Sequence, residues 1–145
     1  MNILTYPNDI LRQKTLSVDK VTPELVNIAK EMYRLMRESN GIGLAANQVG
    51  LNISLIVIEN QGHMLAMFNP VILHRSPQVE YAGEGCLSFA GVFRMIKRPL
   101  EISVKYRDGN GKMSYGLFKG LQARCILHEV EHLHGKLFID IEEKA

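Results

Sequence analysis

The first regular pattern of apolar positions has helical spacing: Leu25, Ile28, Met32, Leu35 and Met36 recur every three or four residues and therefore share one side of a helix. Thr22 can cap that helix, Pro23 suits its first position, and Asn40-Gly41 ends the run. Further on, Ile53 to Ile58 and Met64 to Phe68 are apolar runs of strand length, and Pro70 and Pro77 punctuate the region beyond Phe68. Ile102, Val104 and Tyr106 alternate with polar residues, and Asp108-Gly109-Asn110-Gly111 predicts a hairpin turn into Met113 to Phe118. From Leu121 the helical spacing returns, with Leu121, Cys125, His128 and His132 along one stripe and Gly135 placed to end it. There is no repeat, low-complexity segment or linker. The pattern predicts an α+β fold, with antiparallel sheets between an N-terminal helix and a C-terminal one.

Composition narrows the class without changing that picture. A length of 145 residues suits one domain, residues 1–145, that buries its core without disulfides. The apolar share of 46% and charged share of 22% are those of a folded soluble chain. A net charge of +2 gives no ground for direct nucleic-acid binding, since Arg34, Arg37, Lys97, Arg98 and Lys105 are scattered among acids. Met1 to Asp9 lacks the basic and apolar parts of a signal peptide, and no run is long enough to cross a bilayer, so a cytoplasmic protein without a membrane partner is expected. In a reducing compartment Cys86 and Cys125 remain thiols, available to metal or chemistry.

The C-terminal stripe contains the densest chemistry. His128-Glu129-Val130-Glu131-His132 has the form H-E-x-x-H, and four helical residues advance about 6 Å while turning about 400°, so both imidazoles share one face. Two such rings can hold one metal ion, with Glu129 beside them to receive a proton from water. Short matches of this kind also occur by chance in surface helices, and a catalytic site needs a third protein ligand. Cys125 lies roughly 10 Å along the same axis from His132 and is better read as a buried apolar residue. His134 points to another face and is expected to be a solvated surface histidine. Cys86, in Glu84-Gly85-Cys86-Leu87-Ser88, and the C-terminal acids remain as candidates. Gly41 to Gln48 adds a segment of glycine and alanine ending in a carboxamide, which lets another backbone approach and offers an N–H donor.

Together the three segments resemble the peptide deformylase family, whose signatures are G-x-G-x-A-A-x-Q, E-G-C-x-S and Q-H-E-x-D-H. They stand here as Gly41 to Gln48, Glu84 to Ser88 and Leu127 to His132. Order and spacing match, as do Pro7, Leu11, Arg98 and Gly120-Leu121-Gln122-Ala123. The resemblance implies antiparallel sheets around a central metal-binding helix. It also implies removal of the formyl group from the initiator methionine of new polypeptides, with nascent chains at the ribosome as partners. Cys86, His128 and His132 become the metal ligands, Glu129 the general acid/base, and the Gln48 amide and Leu87 N–H the donors to a developing oxyanion. One divalent ion is implied, ferrous iron in the cell, while the donor set also suits zinc, nickel or cobalt. An apolar pocket for the methionine side chain would be lined by Ile42, Leu87, Cys125 and Ile126 or its neighbours, with the peptide pairing along Gly43 and Gly85.

Several positions depart from the family pattern. Leu127 stands for the usual glutamine, Glu131 for the usual aspartate, and Phe89-Ala90 for an aliphatic-proline pair. Glu131 keeps the charge, so little effect on the ligands is expected, while Phe89-Ala90 makes the substrate rim bulkier and less rigid. Relative to bacterial members the chain resembles a short form without the long C-terminal helix, of the kind a phage could encode. Two other classes compete with this reading. A zinc peptidase would take its third ligand from His134, Glu142 or Glu143, none of which has a recognisable peptidase context. A metal-stapled binding module would need a fourth protein ligand and would have no use for Glu129 or Gln48.

Overall fold

Residues 1–141 are described by the computed structural model. The first long helix, α1, spans Pro23–Glu38, and the Thr22 hydroxyl accepts the Leu25 amide at 3.2 Å, so the cap expected from sequence is made. Its apolar stripe buries Ala29, Met32 and Met36. The strands are β1 (Gly43–Ala45), β2 (Leu55–Asn60), β3 (His63–Arg75), β4 (Val79–Cys86), β5 (Phe89–Pro99), β6 (Glu101–Arg107) and β7 (Met113–Lys119). The second helix, α2, spans Gly120–Leu133. Short 3-10 turns at Asp9–Arg12, Ala46–Val49 and Phe138–Asp140 complete the chain.

An antiparallel five-stranded sheet in the order β1-β2-β3-β6-β7 separates the two helices, and β4 and β5 form a two-stranded ribbon beside it. Strand β2 explains the layering, because successive side chains leave a strand on opposite faces. Leu55 and Val57 join the core against α1 with Met32, Met36 and Phe68. Ile56 and Ile58 join the core against α2 with Met67, Ile102, Val104, Ile126 and Val130. A third cluster of Leu11, Phe89, Ile96, Leu137 and Phe138 closes the side where the ribbon meets the chain ends.

The structure corrects three details of the sequence reading. Pro70 does not end a strand: β3 runs through it, because the pairing with β6 shifts register between Phe68 and Val71 and Asn69 adopts φ 53°. A residue without an N–H is tolerated at such a bulge. Leu121 is not on the buried stripe of α2 but 65% exposed at its first turn. The residues on either side of Cys86, where the hydrophobic pattern picks out no strand, form a paired ribbon; its glycines and largely exposed faces lack the alternation that marks a half-buried strand. The end of α2 is as expected, with Gly135 at φ 74° and packed so closely on the Arg12 carbonyl that no side chain fits.

Candidate active site

The ribbon, residues Asn40 to Gly43 and α2 converge on one cavity of about 430 Å³. Strand β4 delivers Cys86 at its last residue, and α2 delivers His128 and His132 one turn apart. One donor atom from each of these three lies within 4.8 Å of the others. Cys86 Sγ and His132 Nε2 stand 3.3 Å apart, close to the ~3.5 Å expected of two donors on one tetrahedral ion. Glu129, Gly43, Gly85, Leu87, Ile42 and Cys125 all face the same cavity. Gly43 has no alternative there: a Cβ would sit 2.5 Å from Cys125 Sγ and 2.7 Å from a Glu129 oxygen.

Gln48 is oriented by its own turn. Its Oε1 accepts the Ala45 amide at 2.9 Å, so the NH₂ group is turned outward, donating to Ser88 Oγ at 3.1 Å and towards Cys86 Sγ at 3.6 Å. Ser88 in turn donates to the Leu4 carbonyl at 2.7 Å.

His128 is held from behind. Its Nδ1 meets Glu84 Oε1 at 2.9 Å, which leaves Nε2 for the cavity. Burial works against the charged form of Glu84, but hydrogen bonds from Arg98 and His128 outweigh it and hold the carboxyl down at about 2. Arg98 grips both oxygens of Glu84, at 2.7 and 2.9 Å, and reaches Glu131 at 2.8 Å. Arg124 adds a second cation to Glu84 at 2.8 Å and binds the carbonyls of Glu80 and Ile96 at 2.7 and 2.9 Å. The carboxylate of Glu131, which stands where the family usually has aspartate, is thus paired with Arg98.

The electrostatics of the cluster suit a cation. Burial disfavours a charged His128, yet hydrogen bonds to Cys86 and Glu84 and the charge of Glu129 carry its pKa up to about 10. Burial, with the neighbouring His128, pushes His132 down to about 3, the neutral state in which an imidazole can donate to a metal. Desolvation raises Glu129 to about 7, and its Oε1 is buried without a hydrogen-bond partner. A carboxyl poised near neutrality can both accept and return a proton. Two imidazoles and a cysteine sulfur fit a divalent transition metal by donor type and by separation.

Comparison with known proteins decides the family. The family model described as "Polypeptide deformylase" matches residues 1–144. The chain belongs to the peptide deformylase family. A peptide deformylase of Borreliella burgdorferi is 40% identical, with 99% of this chain and 88% of that protein aligned. One from a Picosynechococcus species is 46% identical over 94% of this chain and 76% of its own length. Among solved structures, the peptide deformylase of Thermotoga maritima superposes with a TM-score of 0.95 at 35% identity, covering 99% of this chain and 97% of that one. The deformylase of Synechococcus elongatus, solved in complex with actinonin, also gives 0.95, at 39% identity over 99% and 79%. The protein is accordingly a metal-dependent hydrolase that removes the N-formyl group from the initiator methionine of new polypeptides.

The residues read as site candidates from sequence are brought together, with one adjustment. Ile126 is fully buried in the core under the sheet and does not face the cavity; Leu121, Arg124 and Cys125 are the α2 residues that do, with His128 and Glu129. His134 is exposed and away from the cluster, as expected, while Glu142 and Glu143 lie outside the described residues. Cys125 sits apart from the three donors with Sγ 3.5 Å from the Ile42 carbonyl, and burial, then the charge of Glu129, keep it a thiol. Glu84, Ser88 and Arg124 had no assigned role in the sequence reading. Two had a signal: Glu84 lies two residues from Cys86 on a strand, and Arg124 four residues before His128 on a helix, so each shares a face with a ligand candidate.

Proposed function

We propose that Cys86, His128 and His132 hold the metal, ferrous iron in the cell, and that Glu129, Gln48 and the Leu87 N–H carry out deformylation around it. The observation that carries this reading is the convergence of three donors from two separate elements beside a buried carboxyl, one of whose oxygens has no hydrogen-bond partner. The bound ion supplies the positive charge that polarises the formyl carbonyl and makes water acidic near neutral pH. Glu129 takes the proton from the attacking water and returns it to the departing amine. Gln48 Nε2 and the Leu87 N–H donate to the oxyanion, and Gln48 is already turned for this by its bond to the Ala45 amide. The methionine side chain enters the cavity past Ile42 and Cys125, and the peptide backbone runs between Gly43 and Gly85 by β-augmentation. The rim beyond is apolar, with Phe93 76% exposed and lying over Gly85, so apolar residues after the methionine are favoured.

The same reading makes residues 1–145 one catalytic domain that acts in the cytoplasm on nascent formylated chains at the ribosome. Among the described residues no helix is long and apolar enough to cross a membrane. Metal analysis and formate release from a formyl-methionyl peptide, on protein purified without oxygen, test the ligand set. Cys86→Ala is expected to lose both metal and activity, because two imidazoles on one helical turn hold an ion weakly, and Cys125→Ala to keep the metal. Metal content unchanged by Cys86→Ala sinks this assignment.

A further inference from the structure

Helix α2 ends inside the protein, and its last carbonyls are satisfied from far away in sequence. The Leu133 carbonyl accepts the amide and hydroxyl of Thr15, at 2.8 and 3.0 Å. The His132 carbonyl accepts the Gly135 amide at 3.0 Å and the side-chain Nδ2 of Asn47 at 2.5 Å. Asn47 is 1% exposed and directly precedes Gln48 in the 3-10 turn Ala46–Val49.

The two histidines of the cluster are not supported alike. His128 has Glu84 behind its Nδ1. His132 turns Nε2 to Cys86, and its Nδ1 is buried with no partner. The Oδ1 of Asn47 is likewise buried and unpartnered. An imidazole that offers Nε2 to a metal carries its proton on Nδ1, where it is a donor, while a carboxamide oxygen is an acceptor. Buried groups of this kind are rarely left unpaired. Here an orphan donor and an orphan acceptor belong to two residues already bonded to each other.

We propose that Asn47 is the positioning residue for His132, fixing the last turn of α2 through the His132 carbonyl and accepting, at Oδ1, the hydrogen bond of the Nδ1 N–H through one buried water. The inference rests on the metal ligands proposed above. It makes Asn47 the counterpart, for His132, of what Glu84 is for His128. Because Asn47 and Gln48 are adjacent in one short turn, the same contact sets the oxyanion donor against the ligand helix.

The full-length protein loaded with one equivalent of Co(II) provides the test. Cobalt loss to excess chelator, the visible Co(II) spectrum, kcat and KM are compared for the wild type, Asn47→Leu and Thr15→Val. Thr15→Val removes the other side-chain cap of α2 without touching His132. Asn47→Leu is expected to lose cobalt ~10-fold faster or more, to alter the spectrum and to lower kcat with little change in KM. Thr15→Val is expected to lower Tm while keeping the wild-type spectrum and rate of cobalt loss. Should Asn47→Leu not fold, Asn47→Ala, which leaves room for water, carries the same expectation. A wild-type spectrum and rate in the Asn47 variant, or acceleration in both variants in proportion to their loss of Tm, overturns the proposal. Failure of the ligand assignment is a separate result: the wild type would then take up no stoichiometric cobalt.

Discussion

At the scale of single residues, the site depends on side chains whose surroundings leave them one task each. Glu129 is kept near neutrality by burial, with one oxygen unpartnered, and in the role proposed for it its removal takes away proton transfer without taking away a ligand. Glu129→Ala is expected to bind metal stoichiometrically and to lower kcat by roughly 10²–10⁴-fold, as read by formate release and metal analysis. Gln48 differs because, in the role proposed for it, its bond to the oxyanion strengthens only in the transition state. Gln48→Leu is expected to lower kcat by roughly 10²–10³-fold with KM nearly constant, and an effect confined to KM would rule out the oxyanion role. Glu129 was legible from the H-E-x-x-H motif, because it directly follows one of the two histidines that the helical period places on one face. Gln48 was not: its orientation depends on the Ala45 amide and on Ser88 from a distant segment.

Between elements, Arg124 links helix to ribbon. From α2 it reaches Glu84 and the carbonyls of Glu80 and Ile96, so one buried guanidinium aligns both strands of the ribbon that carries Cys86. Arg124→Met leaves those acceptors buried without it and removes one of the two arginines on Glu84. A loss of about 3–5 kcal/mol in urea unfolding is expected, the range for breaking a buried ion pair from one side. The rim of the same ribbon offers a second test. Phe93 is exposed and borders the cavity mouth, so Phe93→Ser is expected to raise KM for formyl-Met-Phe peptides more than for formyl-Met-Ser peptides. Equal effects on both would show that the ring only covers Gly85.

Across the whole molecule, the proposed ion joins parts held by different cores. Cys86 packs beside the cluster of Leu11, Phe89 and Phe138, while α2 packs mainly against the five-stranded sheet. A ligand bound only by the folded state stabilises it by mass action, by about 2.7 kcal/mol when free ion stands at 100 times Kd. Chelation is therefore expected to lower Tm in the wild type and to leave Tm unchanged in Cys86→Ala, by calorimetry with and without metal. Equal shifts in both proteins would place the stabilising ion elsewhere.

The sequence by itself determined the two helices, the hairpin from Glu101 to Phe118 and the candidate donors, because periodicity, capping residues and turn chemistry are local properties of the chain. It also carried the family, through three short segments whose order along the chain survives without coordinates. Tertiary structure decided what depends on contacts between distant segments. The strand through Pro70 needed a bulge against β6, and Ile126 turned to the sheet while Arg124 and Leu121 took the cavity. Glu84, Asn47 and Ser88 gained their roles only once the ribbon, the 3-10 turn and the N-terminal segment met α2. Their hydrogen bonds span 40 or more residues, apart from the ion pair of Glu84 with Arg98, and no local pattern encodes such partners.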